Sequence, residues 1–565
     1  MRERIKECIK NKTPFIIQEI VDRDAAQFQK PVEKFYDNFM KPSEIADLLK
    51  AAGELYLGRE ILGEFGGMVY WPENSVIRVY GKLKPAKDLV EARENYYAQL
   101  REYSSKEHAY GNGPFLSVCS CMSFPSAENK IFDTFQLEMM PGDPERLASA
   151  FRGASRAYGM KKFNTLIAHG WYGGATWDEL FFKRFQNALN FAYMAGFSAI
   201  FSESGHFGWP FYGYNIRRED PRCVRFRNIM RDFKDFCEVD ERPTGGPETP
   251  MAFMQGNLDG WPGLWAYNVW GQFTPDFAVG EAEQGWKLTD MVYRKSSWFN
   301  HDNLGNNDNS GQPPCGMYDI IPADTPAEKL DRYKLIVIPG WNTMTDEFYN
   351  KLCKFVENGG TLVMTLAQMR TNIKRNEPMK IYNNGDFSKL FGVKLQGRSP
   401  VEITGIKFPR NSSANGRYQW VNWGLDSDAK FSSNGTYFAG NIVENQADVL
   451  ALCSKNFTAA ADKKEEQVPV ILEYKLGKGH AIFINSEKFP GHPALFDTMC
   501  YVMSVLMRGE QPADLNVTAS NNIRYAVYGK SIYVSNTDSD FDGFFMLNGK
   551  KYQIKPQQML HIEKE

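Results

Sequence analysis

Short apolar strands alternate with longer helical stretches over the first 245 residues, and this alternation constrains the fold more than any other feature. The strands read as "PFIIQEI" (14–20), "ELYLGREI" (54–61), "FLSVCSCMSF" (115–124), "FDTFQLEMM" (132–140), "FNTLIAHGWY" (163–172) and "FSAIFSES" (197–204). Helical spacing falls between them, notably over 143–159 and 176–196. In the second stretch Leu180, Phe181, Phe185, Leu189 and Met194 mark the apolar stripe, Thr176 stands at the N-cap position and Gly196 at the stop. Strands apolar on both faces, joined by helices, argue a parallel sheet. The number and length of the units favour a (β/α)8 barrel over an open sheet. Six strands are readable; the other two are expected within 25–45 and 205–245.

A Pro- and Gly-rich stretch, "ERPTGGPETP" (241–250), ends this catalytic-type domain, placed at 1–245. Residues 246–510 read as an open α/β domain. "PMAFMQGNLDGW" (250–261) and "YKLIVIPG" (333–340) are strands, and "TLVMTLA" (361–367) is another. Between the last two lies a helix with Thr345 as its cap, Phe348, Leu352, Phe355 and Val356 as its stripe, and Gly359–Gly360 as its end. That βαβ unit implies parallel pairing. Residues 468–487 read as a hairpin turning at Gly477–Lys478–Gly479, whereas 383–416 reads as loop-rich. The last stretch, 511–565, alternates short strands with turn residues and is expected to form a small antiparallel β domain.

A net charge of −2 gives no electrostatic pull towards nucleic acid or anionic membrane. No run of about 18 apolar residues is present, and the N-terminus lacks a stretch of signal-peptide length, so a cytoplasmic protein is expected. Nine scattered cysteines show neither zinc spacing nor a disulfide framework and read as buried thiols. No P-loop or dinucleotide fingerprint occurs, and neither a metal nor a cofactor is expected. Aromatics reach 14% of residues, which suits large cores and also clefts that stack on sugars.

Barrel chemistry gathers at the carboxyl ends of strands. Those ends supply Arg59, Glu60 and Glu64 in the second strand unit, Glu138 in the fourth, His169, Trp171 and Tyr172 in the fifth, and Glu203, His206 and Trp209 in the sixth. Tyr212 comes next, in an aromatic and polar loop. A carboxyl held at the end of an apolar strand is desolvated, which keeps its proton near neutrality. Paired carboxyls are what glycoside hydrolysis needs, one donating to the leaving oxygen and the other attacking the anomeric carbon or activating water. Glu138 and Glu203 are the expected pair. Arg59, Glu60, Glu64, His169, Trp171, Tyr172, His206, Trp209 and Tyr212 are expected to bind the sugar. Ion pairing of Glu60 or Glu64 with Arg59, and simple packing of the rings, stand as the structural alternatives.

The three-part layout resembles the family 42 glycoside hydrolases of β-galactosidase type. The likeness is carried by "LDRYKLIVIPGWNTMTDEFYNKLCKFVENGGTLVMT", "FSKLFGVKL", "LGKGHAIFINSE" and the terminal strands, and covers roughly 250–565. It implies a catalytic (β/α)8 barrel, a flavodoxin-like trimerisation domain and a small C-terminal β domain. It further implies a retaining, metal-free, trimeric hydrolase acting on a terminal sugar. The first half departs from the family, which has an Asn before its acid/base Glu where Leu137 precedes Glu138 here. Placement on fourth and sixth strands is also similar to α-galactosidase-like barrels, in which the earlier carboxylate is the nucleophile, so the two roles stay open. A carbohydrate-binding or assembly protein on the same scaffold, without catalysis, is the alternative reading.

Overall fold

The structure is a computed structural model, and the residues it describes are 1–18, 41–60, 65–70, 82–110, 116–119, 121–122, 131–139, 144–160, 163–168, 179–202, 219–263, 267–291, 316–409, 417–418, 421–424, 435–454, 463–509, 515–520, 522–538 and 540–564. They form two units: Met1–Val239 with Gly260–Ala278, and Asp240–Asp259 with Val279–Glu565.

The first unit contains β1 (Phe15–Gln18), β2 (Tyr56–Glu60), β3 (Leu116–Cys119), β4 (Thr134–Met139), β5 (Phe163–Ile167) and β6 (Ala199–Ser202). Each lies inside one of the six strand segments read from the sequence. β1 pairs β2 in parallel, β2 runs beside β3, and β3, β4, β5 and β6 pair in parallel in that order. Strand order therefore follows chain order without reversal. Helices Leu89–Tyr110, Pro144–Tyr158, Glu179–Ala195 and Pro221–Val239 follow β2, β4, β5 and β6. The last of these places a helix, not a strand, over much of 205–245. In the other searched region, 25–45, the described part is 41–45, where the short 3-10 turn Pro42–Ile45 runs on into the helix Ala46–Ala52.

Aromatic packing holds these layers. Phe135 on β4 meets Phe151 and Tyr158 of the following helix at 6.2 and 6.4 Å between ring centroids. Phe185 stacks on Phe226 at 4.6 Å, joining Glu179–Ala195 to Pro221–Val239. Burial of each such ring contributes about 1.5–3 kcal/mol. Gly260–Ala278 returns to this unit because Trp270 is buried against Tyr96 and Tyr97, at 5.7 and 5.9 Å. Gln272 ties the same segment to the chain before the helix, its side chain accepting from Ala86 N–H and donating to the Lys84 carbonyl.

The second unit is built on a nine-stranded sheet. One half is parallel: β7 (Met251–Gln255), β8 (Asp319–Pro322), β9 (Leu335–Val337), β10 (Thr361–Thr365) and the strand Gly479–Ile484. Taken in chain order, their spatial order is 2-1-3-4-5, the doubly wound order of flavodoxin-like sheets. The antiparallel half begins with Pro469–Leu476, whose hairpin turns at Gly477–Lys478–Gly479 as expected. The helix Asp346–Glu357 joins β9 to β10. Thr345 Oγ1 caps it by accepting from Phe348 N–H at 3.2 Å, and Phe348, Leu352, Phe355 and Val356 are buried.

The loop-rich reading of 383–416 is corrected. Val393–Ile403 and Gly405–Phe408 are strands, the first pairing antiparallel with Tyr437–Asn445. Gly397 and Pro400 look like breakers, but the ladder shifts register around them, and Gly397 takes a left-handed φ of +70°. The C-terminal strands form two three-stranded antiparallel sheets over a shared core that includes Leu515, Ile523, Phe545, Ile554 and Ile562. The chain from Asp240 joins this module, with Asp240 accepting from Tyr533 Oη at 2.8 Å and pairing with His561 Nδ1 at 2.7 Å.

Candidate active site

β4 carries the central carboxyl. Its sequence, Thr-Phe-Gln-Leu-Glu-Met, alternates polar and apolar side chains, and all six residues are buried. Successive side chains point to opposite faces. Phe135 faces the helix Pro144–Tyr158, so Thr134, Gln136 and Glu138 share the other face. Glu138 is the penultimate residue of the strand and only 2% exposed. Its parallel neighbours in register are Leu166 of β5 and, beyond it, Phe201 of β6. Two residues earlier Gln136 aligns with Asn164, and both are buried. A polar layer thus lies beneath Glu138. Sequence reasoning singled out neither amide; the signal was the polar residue at every second position of "TFQLEM".

Arg59 is the penultimate residue of β2 and 4% exposed, the same relative place as Glu138 on β4. Burying a charged group costs several kcal/mol in effective terms unless partners or bound ligand offset it. Glu60 is the last residue of β2. Glu64, His169, Trp171, Tyr172, Glu203, His206, Trp209 and Tyr212 lie outside the described residues. Glu203 directly follows Ser202, the last residue of β6, in sequence. Arg146, in the first turn of the helix after β4, sits with its guanidinium carbon 5.5 Å from the Trp261 ring centroid. Among the described residues no group of three or more His, Cys, Asp or Glu is placed to hold a metal ion. No helix among them is long and apolar enough to cross a membrane.

In the second unit the switch point of the parallel sheet lies between β7 and β9, the position at which such sheets bind ligands. Here it is filled by the chain itself. Trp286 Nε1 donates to Asp259 Oδ2 at 3.2 Å, and a Cβ on Gly340 would stand 2.3 Å from that same oxygen. Asn342 bridges the loops, accepting from Asn257 N–H at 2.9 Å and donating to the Gln368 carbonyl at 2.8 Å.

A buried guanidinium near the end of β2 and a buried carboxyl near the end of β4 thus stand in a run of parallel strands, and a 2-1-3-4-5 sheet and a terminal β module follow in the chain. The family described as the beta-galactosidase trimerisation domain matches residues 317–499. No curated protein sequence matches the chain. Among solved structures, the β-galactosidase from Bacillus circulans sp. alkalophilus superposes with a TM-score of 0.58 at 12% identity, covering 100% of this chain and 91% of that one. Gan42B, a GH42 β-galactosidase from G. stearothermophilus, gives 0.52 at 13% identity over 95% of this chain and 81% of its own. The cold-adapted β-galactosidase from Rahnella sp. R3 gives 0.50 at 13% identity, over 95% and 82%. At these identities the likeness is one of fold.

Proposed function

We propose that this protein is a retaining, exo-acting glycoside hydrolase that releases a terminal sugar of β-galactoside type from a short saccharide. The first unit is taken as a (β/α)8 barrel, and Glu138 and Glu203 as the carboxyl pair at its mouth. The observation that carries the reading is Glu138, nearly enclosed at the carboxyl end of β4 in a run of parallel strands ordered as in the chain. One carboxyl protonates the glycosidic oxygen while the other attacks the anomeric carbon; water then resolves the glycosyl-enzyme, with the first group acting as base. Arg59, Glu60 and Glu64 are assigned to sugar hydroxyls from the second strand, and His169, Trp171, Tyr172, His206, Trp209 and Tyr212 from the fifth and sixth. The rings would stack under a pyranose, and the polar layer of Gln136 and Asn164 would fix the floor of the pocket. No cofactor has a part in this chemistry. The sugar class follows the β-galactosidases whose fold the chain shares, and the match at 317–499 supports assembly as a homotrimer.

Glu138→Gln and Glu203→Gln, assayed separately against a panel of aryl glycosides, test the pair. A positioned acid or base contributes about 10²–10⁴-fold, so each variant is expected to lose at least a hundredfold in kcat with its fold intact by circular dichroism. Full turnover in both variants would remove the pair from the chemistry. A parent protein that binds sugars and cleaves none of the panel would replace the hydrolase reading with a binding one.

A further inference from the structure

The flavodoxin-like sheet carries a second side-chain cluster at the carboxyl ends of its strands, beyond the filled switch point. Trp341 comes four residues after β9, Arg370 five residues after β10 and Phe489 five residues after the strand Gly479–Ile484. All three therefore rise from the carboxyl ends of adjacent parallel strands. The Arg370 guanidinium carbon lies 4.8 Å from the Trp341 ring centroid and 4.7 Å from that of Phe489, and the two rings are 6.0 Å apart at 27°. Arg370 is 8% exposed. Its Nε donates to the Ala367 carbonyl at 2.6 Å, which fixes the plane of the group. Its two terminal nitrogens have no acceptor among the described residues, yet neither is sealed from solvent.

The surrounding charges are already committed. Glu283 takes both arms of Arg375, at 2.8 and 2.7 Å, and also accepts from Gly280 N–H. Glu281 accepts from Phe489 N–H at 2.9 Å and from Lys488 Nζ at 3.3 Å. Among the described residues two carboxylates, Glu281 and Glu283, thus accept from Lys488 and Arg375, and neither accepts a hydrogen bond from Arg370. Burial pulls the Arg370 guanidinium down to about 10; Glu281 opposes this through space and Arg375 adds to it. An enclosed guanidinium with its fork open to solvent and aromatic walls on two sides is built to receive a planar or tetrahedral oxyanion by two parallel hydrogen bonds.

We propose that Arg370, walled by Trp341 and Phe489, is a binding site for a small oxyanion, a carboxylate or a phosphate. The site is built from residues of the second unit alone and does not depend on the hydrolase reading. The fork accepts either geometry, and the apolar walls suit an anion borne on a small organic body.

Isothermal titration of the full chain with sodium glucuronate, with inorganic phosphate and with neutral glucose, at ionic strength fixed by chloride, tests it. Glucuronate or phosphate is expected to bind, and the stronger of the two identifies the anion class; glucose is expected to leave this site silent. Arg370→Lys is expected to weaken binding at least tenfold, about 1.4 kcal/mol, and Lys374→Gln, on an exposed neighbouring side chain, to leave it unchanged. Should Arg370→Lys fail to fold, the wild-type protein supplies its own readout: bound anion is expected to protect the peptide containing Arg370 from phenylglyoxal. Absence of anion binding up to about 50 mM, equal binding by folded Arg370→Lys, or no protection overturns the proposal. Protection that tracks protein concentration instead of added anion would assign the guanidinium to a carboxylate of a second copy and would equally overturn it.

Discussion

Single residues differ in how much of their role is local. Thr345 is local: its hydroxyl satisfies the Phe348 amide, one of the N–H groups that a helix start leaves without an intrahelical partner. Thr345→Ala is therefore expected to cost about 1 kcal/mol, read as a lower urea midpoint with an unchanged slope. The cap was visible in the sequence because hydroxyl, first turn and apolar stripe all lie within a dozen residues. Glu138 was half visible. An acid in an oily strand is conspicuous, but its support from Gln136 and Asn164 depends on the register between β4 and β5. Arg370 could not be seen at all. Its walls, Trp341 and Phe489, are 148 residues apart in the chain and meet only after three strands have paired.

Elements were readable where one pattern carried the whole unit. β9, its helix and β10 form a βαβ unit whose helix buries a single stripe against the sheet. Leu352 sits at the centre of that stripe with no exposed surface, in a core with Ile336, Leu362, Leu472 and Phe483. Leu352→Ala is expected to remove about 2–5 kcal/mol, measured as the loss of unfolding free energy in guanidinium titration. A loss below about 1 kcal/mol would mean the core closes around the gap, contrary to close packing. The strand Val393–Ile403 was unreadable for the opposite reason. Its Gly397 and Pro400 carry the signature of a loop; Asp386–Phe387 pairs only with its first two residues, and beyond them the partner that holds the backbone extended is Tyr437–Asn445, more than thirty residues on. The return of 260–278 to the first unit was hidden likewise. Trp270 is a ring without periodicity, and its pocket is made by Tyr96 and Tyr97 on a distant helix.

At the scale of the whole molecule, the segment that matches a trimerisation domain, 317–499, takes in four of the five parallel strands, all but β7, and the bulged ribbon of Val393–Ile403 and Tyr437–Asn445. Two of its large apolar side chains, Ile373 and Val443, are 39% and 46% exposed. A closed ring of three copies uses a heterologous contact, so whatever one copy presents is met by a different patch of the next, three times over. Light scattering on the purified chain is expected to give a particle of three 64.5 kDa chains. A single chain at micromolar concentration would refute the trimer. If the ribbon lies in the contact, Val443→Glu buries three unpaired carboxylates per ring, each costing several kcal/mol. The ring should then fall to monomers without loss of the urea transition of the isolated chain, because Val443 contributes little to the core of its own unit. A Val443→Glu protein that remains trimeric would move the contact away from the ribbon to another face of the matched segment.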